Sequence, residues 1–252
     1  MTIHVSADAF DVVLLREFDG KSLPDRLRLV RAMVDGPLVF TTSFGIEDQV
    51  LTHAAVEAGI AVTFATLDTG RLFDETLELW AETELRFGIA IRSYMPAAEP
   101  LEELVRRDGP LGFRRSIAAR QACCEIRKVE PLGRALAGAA GWLTGLRTDQ
   151  SAARRETSFV SADAQRSLLK FSPLADWSRE QVVGYAARHA VPTNVLHARG
   201  YPSIGCAPCT RPVQAGEDER AGRWWWENED RKECGLHAGH LATATASATP
   251  GR

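Results

Sequence analysis

Apolar and polar positions alternate along this chain in two patterns, one suited to helices and one to buried strands. Over "LPDRLRLVRAMV" the apolar residues recur at roughly helical spacing, and residues 1–35 read as a helical lead-in. "GPLVFTTSF" is a short apolar run ending in small polar residues, the pattern of a buried strand. "IEDQVLTHAAVEAG" returns to the helical period and stops near Gly59. The pair then repeats: "IAVTFATLDTG" reads as strand and turn, "LFDETLELWAETELRFG" as helix, and "IAIRSYMP" as a third strand. "AAGWLTGLRTDQS" and "LLKFSPLADWSREQVVGYAARHAV" continue the alternation. Strands alternating with helices of about 10–15 residues predict an α/β fold, an open, mostly parallel sheet flanked by helices. Such sheets bind ligands beyond the carboxyl ends of their strands, and three polar stretches fall there.

From about Asn194 the pattern is lost. The stretch to His237 is rich in Gly, Pro and charge and predicts an irregular arm that takes its order from a ligand or from the domain surface. The Ala/Thr/Ser-rich end is expected to be disordered. The chain therefore divides into a lead-in (1–35), an α/β domain (36–193), a segment carrying the cysteine pair and the arm (194–240), and a tail (241–252). Its 252 residues, 45% of them hydrophobic, suffice for one substantial core. Thirty basic against thirty-three acidic residues give a net charge of -3, which does not point to nucleic acid. No apolar run reaches membrane-spanning length and "MTIHVSADAF" lacks signal-peptide character, so a soluble cytoplasmic protein is expected.

The polar turns carry the first candidate chemistry. "TTSFGIEDQ" follows a strand and opens a helix: either Thr42 or Ser43 caps that helix, or freed amides around Ser43 and Gly45 hold an anion. It is neither a Walker A loop nor a dinucleotide fingerprint. In "LDTGRLFDET", Asp68 and Thr69 can bind a sugar or base and Gly70 permits close approach; alternatively Asp68 caps the next helix. "TGLRTDQSAARRE" adds Arg147, Gln150, Ser151 and Arg154, with Arg147 directly after a buried strand, ready for phosphate.

Five cysteines sharpen the reading. "CCEIRK" and "CAPC" supply Cys123, Cys124, Cys206 and Cys209, four soft ligands suited to zinc or an iron–sulfur cluster. Alone, the second motif also fits a redox dithiol and the first two small buried hydrophobes. Adjacent side chains diverge by about 100° on a helix, so Cys123 and Cys124 reach one centre only at a bend or helix end. Arg127 and Lys128 follow at once; "ERAGRWWWE" brings Arg220 and Arg223 before three tryptophans too costly to leave exposed. That leaves Cys234 in "RKECGLH", among basic residues and without apolar cover, either a nucleophile on a mobile arm or an incidental surface thiol.

Taken together and in order, "SFGIEDQ", "LDTGRLF", "CCEIRK", "GLRTDQS", "CAPC", "GRWWWE" and "KECGLH" resemble the assimilatory sulfonucleotide reductases, closest to the iron–sulfur, thioredoxin-dependent adenylyl-sulfate branch. The resemblance runs from about Thr41 to His237. It implies a Rossmann-like adenine nucleotide alpha hydrolase fold, related to the ATP pyrophosphatases. It further implies reduction of adenosine 5'-phosphosulfate (APS) to sulfite and AMP through a sulfonate on Cys234, completed by thioredoxin or glutaredoxin. A [4Fe-4S] cluster on Cys123, Cys124, Cys206 and Cys209 comes with it, as does a homo-oligomeric state. Ser43, Phe44, Gly45, Glu47 and Asp48 are implied to form the loop holding the phosphosulfate. Leu67, Asp68, Thr69, Gly70 and Arg71 fall on the ribose and adenine side. Gly145, Arg147 and Gln150 complete the pocket, with Lys128, Arg147, Arg220 and Arg223 facing phosphate and sulfate. Glu47 stands where pyrophosphatase relatives carry a basic residue, against an adenylating enzyme. The acidic loops beside the ribose favour APS over its 3'-phosphorylated form (PAPS), unless Arg154 or Arg155 folds over that side. The competing expectations are a PAPS or dual-substrate reductase and, from another class, a zinc-stabilised nucleotide-binding regulatory module.

Overall fold

Ser22 accepts a hydrogen bond from Asp25 N (3.3 Å). This cap and Pro24 in the first turn start α1, Leu23–Met33, which buries Leu23, Leu27 and Val30. The structure, a computed structural model, describes residues 16–164, 166–227 and 233–236. The start of the lead-in, His237 and the expected tail lie outside the described residues.

The sheet follows the predicted alternation. β1 (Leu38–Thr42) leads into α2 (Ile46–Ala58), β2 (Thr63–Leu67) into α3 (Asp74–Phe87), and β3 (Ile91–Tyr94) into α4 (Ala98–Asp108). β1 pairs in parallel with β2 through Val39↔Thr63, and β2 with β3 through Phe64↔Ile91. Next come α5 (Ile117–Cys124), a π-helical turn over Glu125–Val129, and α6 (Glu130–Ala135). β4 (Gly141–Leu143) then returns to β1, pairing Leu38↔Gly141. β5 (Val160–Asp163) and β6 (Leu168–Phe171) precede α7, Arg179–Arg188. The order β3-β2-β1-β4-β6-β5 makes an open sheet, parallel except for β5 against β6.

The strand order reverses between β1 and β4, and the loops leaving their carboxyl ends part there to form a crevice. The main core lies between α1, α2 and α7 and one sheet face, with Phe40, Val50, Leu51, Leu143 and Phe171 at 0% exposure. A second cluster around Leu132 and Trp142 covers the other face. The β5–β6 hairpin departs from the expected strand–helix alternation. Its short edge strand carries the half-buried Ser161 and exposed Ala162, so "SFVSADAQ" has no strong apolar signal. Beyond Asn194 the described chain has no α-helix or long strand; two 3₁₀ turns and a Thr210↔Arg223 bridge order it against the domain. Among the described residues, no helix is long and apolar enough to cross a membrane.

Candidate active site

Helix α2 opens the crevice without a side-chain cap. Gly45 is its N-cap, so neither Thr42 nor Ser43 does the capping. Thr42 Oγ1 instead accepts from Phe44 N (3.0 Å), and Ser43 donates from both N (2.6 Å) and Oγ (2.8 Å) to Asp48. Phe44 takes φ 60°, a conformation costly for an aromatic residue, and is held by stacking on Trp80 at 5.7 Å. Ser43, Phe44, Gly45, Glu47 and Asp48 all line the resulting cleft. Burial pushes the Asp48 carboxyl up to about 6 against the pull of its Ser43 bonds. The opposite wall comes from β4, where a Cβ on Gly145 would sit 2.5 Å from Asp48 Oδ1 and 3.1 Å from Glu47 Cβ. Only glycine lets the β4 loop approach α2 so closely.

Four basic residues line this cleft: Lys128, Arg154, Arg220 and Arg223. Lys128 stands on the π turn that continues α5. Burial lowers its affinity for a proton, but the Cys206 and Cys234 sulfurs more than reverse this and hold it charged. Burial and then the charge of Arg154 push Arg220 down, and the Glu233 carboxylate beside it offsets only part of this. Arg223 passes over Gly205, where an added Cβ would lie 2.1 Å from Nη2, and sits 4.8 Å above the Trp224 ring. Cys234 lines the same cleft, with Thr69, Leu67 and Gln150.

Arg147 and the β2 loop are arranged differently from the expectation. Arg147 has 0% exposure and does not line the cleft; Glu47 (2.9 Å), Asp149 (3.1 Å) and Glu219 (3.3 Å) surround it. Its charge is spent on fixing Glu47 and Glu219 from behind. Asp68 accepts from Gly70 N (2.9 Å), closing a tight turn, and does not cap α3, whose N-cap is Phe73. Asp68, Gly70 and Arg71 do not line the cleft either. Arg71 lies over Phe113 at 5.0 Å, donates to Pro110 O (2.7 Å), and its carbonyl accepts from Ala207 N (2.8 Å). The Leu67–Arg71 loop thus contributes Leu67 and Thr69 to the cleft and Arg71 to the cysteine side.

All four paired cysteines line one adjoining cavity, walled by Phe113 and Trp224 and edged by Arg71, Arg120, Arg127, Lys128 and Arg223. Cys123 and Cys124 end α5 where it widens into the π turn, the helix end that adjacent ligands require. Burial raises the thiols of Cys124 to about 11 and Cys209 to about 12. Among the described residues no three of the five sulfurs lie within 4.8 Å of one another. A tetrahedral zinc with bonds of about 2.3 Å would hold its sulfurs about 3.8 Å apart. Lys128 and Cys206 belong to both cavities, so the thiol cage and the cleft share a wall.

The arm closes that wall. Trp224 is buried, as its cost in water predicted, with the guanidinium of Arg120 at 4.5 Å; Trp225 remains 37% exposed. Arg120 pairs with Glu227 at 2.6 Å, both nearly free of solvent, and donates to Glu233 O (2.9 Å). Arg154, a candidate of the third polar loop, does line the cleft; Glu233 and the Pro202–Gly205 loop were not among the expected site residues. "GYPSIG", a Gly/Pro-rich run directly before "CAPC", was the available signal for the loop.

An open, mostly parallel sheet with a helix end free of a side-chain cap, a basic cleft and an adjoining thiol cage makes an α/β domain of the adenine nucleotide alpha hydrolase type. The profile of the phosphoadenosine phosphosulfate reductase domain matches residues 37–212, and the chain belongs to that family. An adenosine 5'-phosphosulfate reductase of Agrobacterium fabrum is 50% identical over 254 residues, covering 100% of this chain and 97% of its own. A protein of the same name from Allochromatium vinosum is 51% identical over 213 residues, covering 84% and 83%. Among solved structures, a phosphoadenylyl-sulfate reductase from Candida auris in a phosphate complex superposes with a TM-score of 0.70 at 25% identity, over 84% of this chain and 100% of that one. An FMN adenylyltransferase of Candida glabrata, at 14% identity and a TM-score of 0.51 over 94% and 79%, shares the fold alone.

Proposed function

We propose that this protein reduces adenosine 5'-phosphosulfate to sulfite and AMP, with a dithiol protein of the thioredoxin type as electron donor. The carrying observation is that Cys234 lines the same cleft as Lys128, Arg220, Arg223 and the uncapped end of α2. Relatives about half identical to the chain bear the corresponding name. The 36–193 domain holds the nucleotide, with phosphate oxygens at the α2 end; the 194–240 segment brings Cys234, Arg220 and Arg223 to the sulfate beside Lys128 of the domain.

The Cys234 thiolate attacks the sulfur of the phosphosulfate, forming an S–S bond as the S–O bond to phosphate breaks. AMP leaves with the electron pair, and Lys128, Arg220 and Arg223 offset the charge spreading over the sulfate oxygens. A donor thiolate then attacks Cys234 Sγ, expelling sulfite with the S–S electron pair and leaving a mixed disulfide. The second donor thiolate resolves this, returning Cys234 as thiolate and leaving the donor oxidised.

The cysteine cage fits a [4Fe-4S] cluster: four thiols line one cavity, spaced too widely for one zinc, amid basic groups suited to an anionic centre. When bound, such a cluster supplies ligation and negative charge while electrons come from the dithiol. Cys123, Cys124, Cys206 and Cys209 would hold it, and that attachment would orient Lys128 on the adjoining turn. The preference for APS over PAPS is supported by Arg71, the basic residue of the ribose-side loop, being engaged with Phe113 and Pro110 outside the cleft, and by Arg154, which does line the cleft, being paired with Glu233 and Gln150.

Mass spectrometry of the protein mixed with APS and no reductant should find the sulfonate on Cys234. Cys234→Ser should retain AMP binding and form no sulfite. An adduct on Cys209, or turnover by the serine variant, would overturn the assignment.

A further inference from the structure

The residue before the nucleophile has an environment that the reaction above does not use. Glu233 receives Arg154 Nε at Oε1 (3.0 Å) and Nη2 at Oε2 (3.2 Å), while Arg220 Nη2 stands 3.4 Å from Oε1. Arg154 is itself oriented by donating Nη1 to Gln150 Oε1 (2.6 Å). Both arginines line the cleft and neither is a surface side chain, at 15% and 12% exposure. Such a two-point grip on a carboxylate fixes direction as well as distance. The backbone on either side is also held: Arg120 takes Glu233 O, and Leu236 packs against the cluster containing Leu132 and Trp142.

We propose that Glu233 is the positioning residue of the nucleophile: clamped between Arg154 and Arg220, its carboxylate docks the arm so that Cys234 faces the cleft. This rests on the reading of Cys234 as the nucleophile and adds what sets its place. Lone apolar contacts along the arm would leave the thiol free to slide, whereas a bidentate ion pair one residue away sets a single register. The same guanidiniums also present their charge to the cleft, so the arm docks where the incoming anion is bound. Binding of substrate and presentation of the thiol become one arrangement.

The test is the rate at which iodoacetamide alkylates Cys234 in the full-length protein, read by peptide mapping and followed to the high-pH plateau. At the plateau every thiol is ionised, so the rate reports access and not the loss of a neighbouring charge. Glu233→Gln should raise the plateau rate about tenfold, the effect of losing one charge-assisted hydrogen bond. Arg154→Gln should do the same, the double variant should be no faster than either single, and Glu233→Asp should recover part of the protection. Glu233→Gln should slow single-turnover formation of the sulfonate while the dissociation constant for AMP stays within about twofold of wild type. An unchanged plateau rate in Glu233→Gln would overturn the proposal. So would AMP binding that tightens as alkylation quickens, since Glu233 would then be a competing anion. Absence of the sulfonate in wild type, with the alkylation pattern intact, would remove the reductase reading and leave the docking role standing.

Discussion

Replacing Asp48 by Asn should stabilise the protein, and only above a definite pH. The folded-state carboxyl is raised from 3.8 to about 6, chiefly by burial. Two pH units correspond to about 3 kcal/mol. Below pH 3.8 the group is protonated whether the chain is folded or not, and nothing is lost. Between 3.8 and 6 the unfolded chain releases its proton while the folded one retains it, so stability falls as pH rises. Above 6 the full cost of a buried carboxylate persists. Asn carries no charge, and its amide oxygen in place of Oδ2 still accepts from both Ser43 N and Oγ. The variant should therefore match wild type at pH 3.5 and be about 3 kcal/mol more stable at pH 7.5. Denaturant titrations of both proteins across that range isolate Asp48, because every other titrating group cancels in the difference. A difference independent of pH would refute the argument. So would a variant that weakens as pH rises, which would mean that the positive end of α2 outweighs desolvation.

Three further outcomes test the geometry. Gly145→Ala should cost about 1–3 kcal/mol and weaken AMP binding, because the new methyl overlaps Asp48 and Glu47; calorimetric melting and equilibrium dialysis would detect both. Glu227→Gln leaves the Arg120 guanidinium buried without its charge partner, and chemical denaturation should register a loss of about 3–5 kcal/mol. Cys206→Ser should lose most bound iron by elemental analysis while the circular dichroism of the sheet and helices is retained. A variant with full iron would remove Cys206 from the ligand set.

The strand ends were legible because burial writes itself locally: the apolar runs of "LVFTT", "TFATL" and "GWL" give way at their carboxyl ends to small or polar residues, "TTS", "DTG" and "TG". The thiol cage was legible because four cysteines in two pairs have few other uses in such a chain. Arg147 was misread because its position after β4 says where its backbone lies, not which carboxylates await it. Glu47 and Glu219 are 100 and 72 residues away in sequence, and only the fold brings them to it. Asp68 illustrates a more local ambiguity, since an Asp can accept from the amide two residues on or from a helix start, and the sequence accommodates both. The Arg154–Glu233 grip joins residues 79 apart, on segments without periodic pattern, and left no trace that spacing could reveal.

Arg120 binds the chain at two places, the Glu227 carboxylate and the Glu233 carbonyl. Release of the second leaves the first in place, so the undocked thiol is not on a free tail. Cys234 lies seven residues beyond Glu227, a leash that reaches at most about 25 Å when fully extended. Confinement to a half-sphere of that radius gives the thiol a local concentration of tens of millimolar at the cleft. Under the proposed mechanism, a nucleophile held at such a concentration returns to its substrate far more often than it meets another protein. The proposed donor must come to this face of the molecule, at a distance from the cleft set by the leash.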